Sequence, residues 1–166
     1  MGRLKPDYYY DTVFDIPYEE LLKNNIHSLI FDIDNTLAPY EEHQPSAKTT
    51  ALVNRLKKMG FKLCLLTNNT NRRLDCFTKP LDIPGIANAA KPFKRGIKQS
   101  MKQMGTKPEN TAIIGDQLLS DIWGGKNTGI TTILIKPLSD KDFIYVRLKR
   151  KIENRLLRRY YGDETP

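Results

Sequence analysis

Phe31-Asp32-Ile33-Asp34-Asn35-Thr36-Leu37 closes an apolar run that begins at Ser28, and it places two carboxylates two residues apart where that run stops. Residues two apart on an extended strand point the same way. As the backbone leaves the strand, Asp32 and Asp34 can both approach one small volume at the carboxyl edge of a sheet, where ligands of open α/β sheets bind. Two close carboxylates repel each other. The repulsion is tolerable only with a cation between or beside them.

Working outward, the run Ser28 to Ile33 is followed by similar apolar, β-branched runs at Phe61 to Thr67, Thr111 to Gly115 and Thr131 to Ile135, with a weaker one at Gly85 to Ala90. Helical patterns lie between them: Thr49 to Met59 closed by Gly60, Phe93 to Met104 closed by Gly105, and Leu118 to Asn127 stopped before Gly129. A short helix from Pro17 to Lys23 precedes the first run. This alternation predicts an α/β fold, a three-layer Rossmann-like parallel sheet with helices on both faces. No repeat, low-complexity tract or linker divides residues 1–166, which reads as one domain.

A second acidic pair, Gly115-Asp116-Gln117-Leu118-Leu119-Ser120-Asp121, follows the third strong strand in the same manner. Asp116 is expected near Asp32 on the same sheet edge, with Asp121 about one turn into the next helix. Hard oxygen donors suit Mg²⁺, which commonly binds through one or two carboxylates plus a phosphate. No Cys or His cluster favours zinc. Thr67-Asn68-Asn69 adds a hydroxyl and amides at the second strand end, and Lys91-Pro92 adds a cation after the weak strand. Metal, lysine, hydroxyl and amides around a carboxylate suit a phosphoryl group, and a free carboxylate there can attack phosphorus to form an aspartyl phosphate.

The four motifs, Asp32-x-Asp34-x-Thr36, Thr67-Asn68, Lys91 and Gly115-Asp116 with Asp121, resemble in order and content those of the haloacid dehalogenase superfamily of phosphotransferases. The resemblance implies a nucleophile at Asp32 and an acid/base at Asp34, which the dehalogenases of the superfamily lack. It implies phosphate held by Thr67, the Asn68 backbone N–H and Lys91. It also implies Mg²⁺ held by Asp32, the backbone carbonyl of Asp34 and Asp116, with Asp121 supporting. Larger members carry a cap domain, and neither the Leu37–Lys48 gap nor the stretch from Asn69 to Ala87 can hold one. The site is therefore expected to be open. Within the superfamily the chain is similar to the YqeG group, related to phosphatidylglycerophosphatases, through Tyr8-Tyr9-Tyr10, LLTNN, AKPF, GDQLLSDIWGGKNTG and a basic tail. That resemblance implies a phosphatase of phosphatidylglycerophosphate at a membrane surface. The alternatives are a cytosolic phosphatase of soluble nucleotides or sugar phosphates, and a non-catalytic module binding nucleic acid or protein.

Lys and Arg total 27 against 19 Asp and Glu, a formal charge of +8. Seven basic residues and one acid fall between Arg147 and Arg159, so six of the eight net charges sit there. The sequence predicts a basic amphipathic helix at about 140–161, with Ile144, Leu148, Ile152 and Leu156 as its apolar stripe. Such a helix can lie on an anionic membrane, each nearby Lys or Arg contributing about 1 kcal/mol. Phosphates of nucleic acid could also meet it, but no RNA-recognition aromatic motif or zinc finger supports that reading. The 39% hydrophobic and 28% charged composition excludes a disordered tail. No apolar run reaches the roughly 20 residues that span a bilayer, and the amino terminus lacks the apolar core of a signal peptide. With Cys64 and Cys76 outside any CxxC pattern, a cytoplasmic protein, peripheral at most on the inner membrane face, is expected. His43 reads as a solvated loop histidine and Trp123 as a packing residue. Tyr8 to Tyr10 could pack on the domain or anchor at an interface.

Overall fold

The six strands β1 (Tyr8–Tyr10), β2 (Ser28–Phe31), β3 (Lys62–Leu66), β4 (Gly85–Ile86), β5 (Thr111–Gly115) and β6 (Thr131–Ile135) form one parallel sheet in the order β1-β6-β5-β2-β3-β4. This is a computed structural model describing residues 4–139 and 144–162, residues 144–148 by backbone alone. From β2 the chain winds outward through β3 and β4, then crosses back to β5 on the other side of β2. The winding therefore reverses between β2 and β5. Their carboxyl ends flank the crevice where open α/β sheets bind ligands, and Asp32 and Asp116 follow those two ends.

Period two sorts the strand residues between two helical layers. Leu29, Phe31, Leu63 and Leu65 face one core with Leu52, Val53 and Leu56 of α2 (Ala47–Lys58) and Leu74, Phe77 and Leu81 of α3 (Asn71–Leu81). That layer also contains Leu21 of α1 (Tyr18–Lys23). Ile30, Cys64, Leu66 and Ile113 face the other layer, with Ile97, Met101 and Met104 of α4 (Lys94–Met104). The expected three layers are present, and no separate cap stands among the described residues.

Several elements differ from the sequence expectation. Tyr8–Tyr10 forms an edge strand pairing with Ile133 to Ile135. The helix expected from Leu118 starts instead with a wide turn over Leu118–Ile122, where the Ile122 N–H reaches back five residues to the Gln117 carbonyl at 3.3 Å. α5 (Trp123–Thr128) then continues it to Gly129. Helix α3 was not anticipated. Thr70 caps it by accepting the Arg73 N–H.

The C-terminal helix α6 (Ile144–Tyr161) packs on the wide turn. Leu156 and Leu157 join Leu118, Ile122 and Leu134 in a third small core. Its expected start near residue 140, and the side chains of Ile144, Tyr145, Arg147 and Leu148, lie outside the described residues. Ile152, expected on the apolar stripe, is 52% exposed. Leu156 of that stripe packs, and the helix docks through Arg150, Glu153 and Leu157 as well.

Candidate active site

Asp32 leaves β2 with its N–H still bonded to the Ile114 carbonyl at 2.9 Å, so the sheet ladder itself sets where its carboxylate projects. Asn35 takes a left-handed conformation in the next turn (φ +59°), which Asn tolerates better than other non-glycine residues. That turn brings Thr36 back, and its hydroxyl lies 3.4 Å from Asp32 Oδ2 and 3.3 Å from Asp116 Oδ1. Carboxylate oxygens of Asp32, Asp116 and Asp121 all lie within 4.8 Å of one another, each side chain buried.

Lys91 enters this acidic cluster from the segment after β4. Its ammonium donates to Asp32 Oδ1 at 2.6 Å, Asp121 Oδ1 at 2.6 Å and the Leu66 carbonyl at 3.1 Å, so all three protons are used. The Asn68 side chain fixes the Lys91 backbone from both sides, accepting its N–H at 2.7 Å and donating to its carbonyl at 3.2 Å. Thr67, also buried, accepts the Asn69 N–H at 3.0 Å. Gly115 is required by close approach, because a Cβ there would fall 2.3 Å from the Asp121 carboxylate carbon. Asp121 Oδ2 in turn accepts the Gln117 N–H at 3.1 Å.

The charges respond to burial. Asp32 is held well above the ordinary carboxylate range, first by desolvation and then by the charges of Asp121, Asp116 and Asp34, with Lys91 opposing. Asp116 is pushed up to about 7, again first by burial and then by Asp121, while Arg150 pulls it down. Burial works against the Lys91 charge, but Asp121 and Asp32 outweigh it and raise that group above its usual value. Buried acids in excess of nearby cations, with only oxygen donors, fit a hard divalent ion.

The carboxylate of Asp34 does not join this cluster. It turns to Arg73 of α3, whose Nε and Nη2 both lie 2.9 Å from Asp34 Oδ1, while Asn69 Nδ2 is 3.4 Å from Oδ2. Arg73 is missed by the sequence reading, as are two residues of α6. Arg150 Nη2 donates to Asp116 Oδ2 at 2.7 Å, and buried Glu153 accepts the Leu119 N–H at 2.8 Å. Burial raises the Glu153 carboxyl, with that N–H, Arg150 and Lys149 opposing. Arg150 and Glu153 of α6 thus reach the rim of the site. The apolar spacing of Leu74, Phe77 and Leu81 was the available signal for α3; nothing in the run of basic residues singled out Arg150.

Two aromatic side chains stand out on this rim. Phe93 is 71% exposed, and Trp123, expected to pack, is 41% exposed. A Cβ on Gly124 would lie 3.4 Å from the Pro92 Cα, so the segments carrying the two aromatics meet. His43 is exposed, as expected.

Comparison with known proteins adds the following. The family description haloacid dehalogenase-like hydrolase matches residues 37–129. "Probable phosphatase YqeG" of Bacillus subtilis is 34% identical over 152 residues, covering 92% of this chain and 88% of that protein. A glyceraldehyde 3-phosphate phosphatase of Pyrococcus furiosus is 32% identical over 61% of this chain, and the match spans only 45% of that longer protein. Among solved structures, the cobalt-bound deoxy-D-mannose-octulosonate 8-phosphate phosphatase of Haemophilus influenzae has a TM-score of 0.52 at 16% identity, covering 84% of this chain and 94% of that one. A hypothetical protein of Xanthomonas campestris has a TM-score of 0.55 at 14% identity, over 84% and 79%. At such identities these structures speak for the fold alone.

Proposed function

The chain belongs to the haloacid dehalogenase-like hydrolases, and from that premise we propose that it is a magnesium-dependent phosphatase working through an aspartyl phosphate on Asp32. The observation that carries this is the meeting of Asp32, Lys91, Asp116 and Asp121 at the β2/β5 crevice. Asp32, Asp116 and the Asp34 backbone carbonyl would hold the ion, with Asp121 supporting. The ion supplies charge neutralisation that lets an anionic carboxylate approach an anionic phosphate.

The carboxylate of Asp32 attacks phosphorus, and the electron pair of the breaking ester bond goes to the leaving oxygen. A proton from Asp34 converts that oxygen to an alcohol. Water then attacks phosphorus, Asp34 takes its proton, and the Asp32 carboxylate is released with phosphate. Lys91 offsets charge on both nucleophile and phosphoryl group. Thr67 and the Asn68 backbone N–H would hold phosphate oxygens.

For the substrate we favour phosphatidylglycerophosphate at an anionic membrane surface. Two observations support it: exposed Lys151, Arg155, Arg158 and Arg159 on the outward side of α6 beside exposed Ile152, and the exposed Phe93 and Trp123. No helix among the described residues is long and apolar enough to cross a membrane. The test compares phosphate release from phosphatidylglycerophosphate in anionic vesicles with release from nucleotide and sugar phosphates. Vesicle pelleting of the full chain is measured beside that of a Lys151→Glu, Arg155→Glu, Arg158→Glu variant. Preference for the lipid, with pelleting lost in the variant and weakened by salt, is expected. Preference for soluble esters without pelleting would favour the cytosolic alternative.

A further inference from the structure

Asp34 has one oxygen held and the other left nearly open, and the residue that makes the distinction is Arg73. Both guanidinium nitrogens, Nε and Nη2, approach the same oxygen, Oδ1, at 2.9 Å each. This is not the fork-on-fork pairing in which each carboxylate oxygen takes one nitrogen. Among the described residues, the hydrogen-bond partner of Oδ2 is the Asn69 amide, at a long 3.4 Å. A carboxyl group so held keeps Oδ1 committed to Arg73 and leaves Oδ2 as the oxygen with the weaker contact.

Arg73 is itself fixed on every side. Its side chain is 8% exposed, its guanidinium lies 4.8 Å from the Phe77 ring centroid and 5.8 Å from that of Tyr40, and it donates to the carbonyls of Pro39 and Glu42. The same guanidinium therefore ties the loop that follows the Asp32 motif to the acid/base carboxyl. Its place on α3 is set by the helix: Arg73 sits in the first turn after the Thr70 cap, on the side that buries Leu74, Phe77 and Leu81.

We propose that Arg73 is the positioning residue for proton transfer: it fixes Asp34 through Oδ1 so that Oδ2 gives its proton to the leaving oxygen and later takes one from the attacking water. This rests on the phosphatase reading of the site. The step it governs is the second half of the ester cleavage, in which the electron pair released from phosphorus lands on an oxygen that must be protonated. An alkoxide is a poor leaving group and needs that proton; a nitrophenolate leaves readily without it. Loss of a positioned general acid therefore falls selectively on alkyl esters, by about 10²–10⁴-fold.

The experiment measures phosphate release from glycerol 1-phosphate and from p-nitrophenyl phosphate, with Mg²⁺, by the full chain, Arg73→Met, Arg73→Lys and Asp34→Asn. Both rates come from a single preparation, so their ratio is independent of how much of a variant is folded. Arg73→Met is expected to lose at least about 100-fold more activity on the glycerol ester than on the aryl ester, matching the selectivity of Asp34→Asn, with Arg73→Lys intermediate. Adding Arg73→Met to Asp34→Asn is expected to leave the ratio where Asp34→Asn alone puts it. Equal losses on both esters in Arg73→Met and Arg73→Lys would reduce Arg73 to a structural residue and overturn the proposal. An unmutated chain that hydrolyses neither ester would instead count against the phosphatase reading beneath it.

Discussion

Replacing Lys91 by Met keeps most of the apolar stem and deletes an ammonium that sits 2.6 Å from two buried carboxylates at once. Asp32 and Asp121 are then left facing each other and Asp116 with that cation gone, at sites only 6% and 1% exposed. Removing one partner of a buried ion pair costs about 3–5 kcal/mol, because the remaining charge stays desolvated. In a domain of this length each kcal/mol moves the melting temperature by roughly 2–4 °C. Without metal, Lys91→Met should therefore melt about 6–20 °C below the unmutated chain. Mg²⁺ should recover part of that difference, since it restores positive charge to the same acids, while phosphate release stays low. The assay is thermal unfolding followed by circular dichroism in chelator and in Mg²⁺, beside phosphate release. A Lys91→Met protein that melts with the unmutated chain under both conditions would refute the idea that Lys91 balances this cluster.

Other outcomes follow from the same geometry. Gly115→Ala places a Cβ 2.3 Å from the Asp121 carboxylate carbon, so Asp121 must move; a stability loss of about 1–3 kcal/mol is expected by overpacking, with Mg²⁺ affinity, read by calorimetry, falling at least about tenfold. Arg150→Met removes a donor that holds Asp116 at 2.7 Å, and Mg²⁺ binding measured by calorimetry should weaken by about 10–100-fold. Asp116 is raised from 3.8 to about 7 in the folded chain, so its protonated form contributes stability that is complete below its unfolded value and is lost as pH rises through 7. Melting temperature in chelator should accordingly fall between about pH 4 and about pH 7, and Mg²⁺ should flatten that fall; parallel curves with and without metal would contradict it.

The parts of this molecule that were legible in its sequence are those where one period decides the answer. Asp32 and Asp34 lie two apart at a strand end, and Gly115-Asp116 repeats the device, so the sheet edge and its acids follow from alternation. Lys91 was legible by its place after a weak strand. What was not legible depends on polar groups being buried. α3 carries Arg72 and Arg73 side by side, and only the tertiary packing of Leu74, Phe77 and Leu81 decides that Arg73 turns inward while Arg72 stays exposed. α6 was expected to present Ile144, Leu148, Ile152 and Leu156 as an apolar stripe; among its described side chains Leu156 packs, and Arg150 and Glu153 dock as well because acidic and backbone groups at the rim offer them partners. Trp123 begins α5 beside buried Ile122 yet is 41% exposed. β1 is three residues long, and its pairing with β6 supplies the evidence that those tyrosines form a strand.

The most direct test of the central claim is to quench the full chain with acid during turnover of p-nitrophenyl phosphate in Mg²⁺ and to locate the phosphoryl group by peptide mass spectrometry. The account predicts one phosphoryl group on the peptide carrying Asp32, and none in an Asp32→Asn protein, which should also release no phosphate. A phosphoryl group on another residue, or undiminished phosphate release by Asp32→Asn, would contradict it.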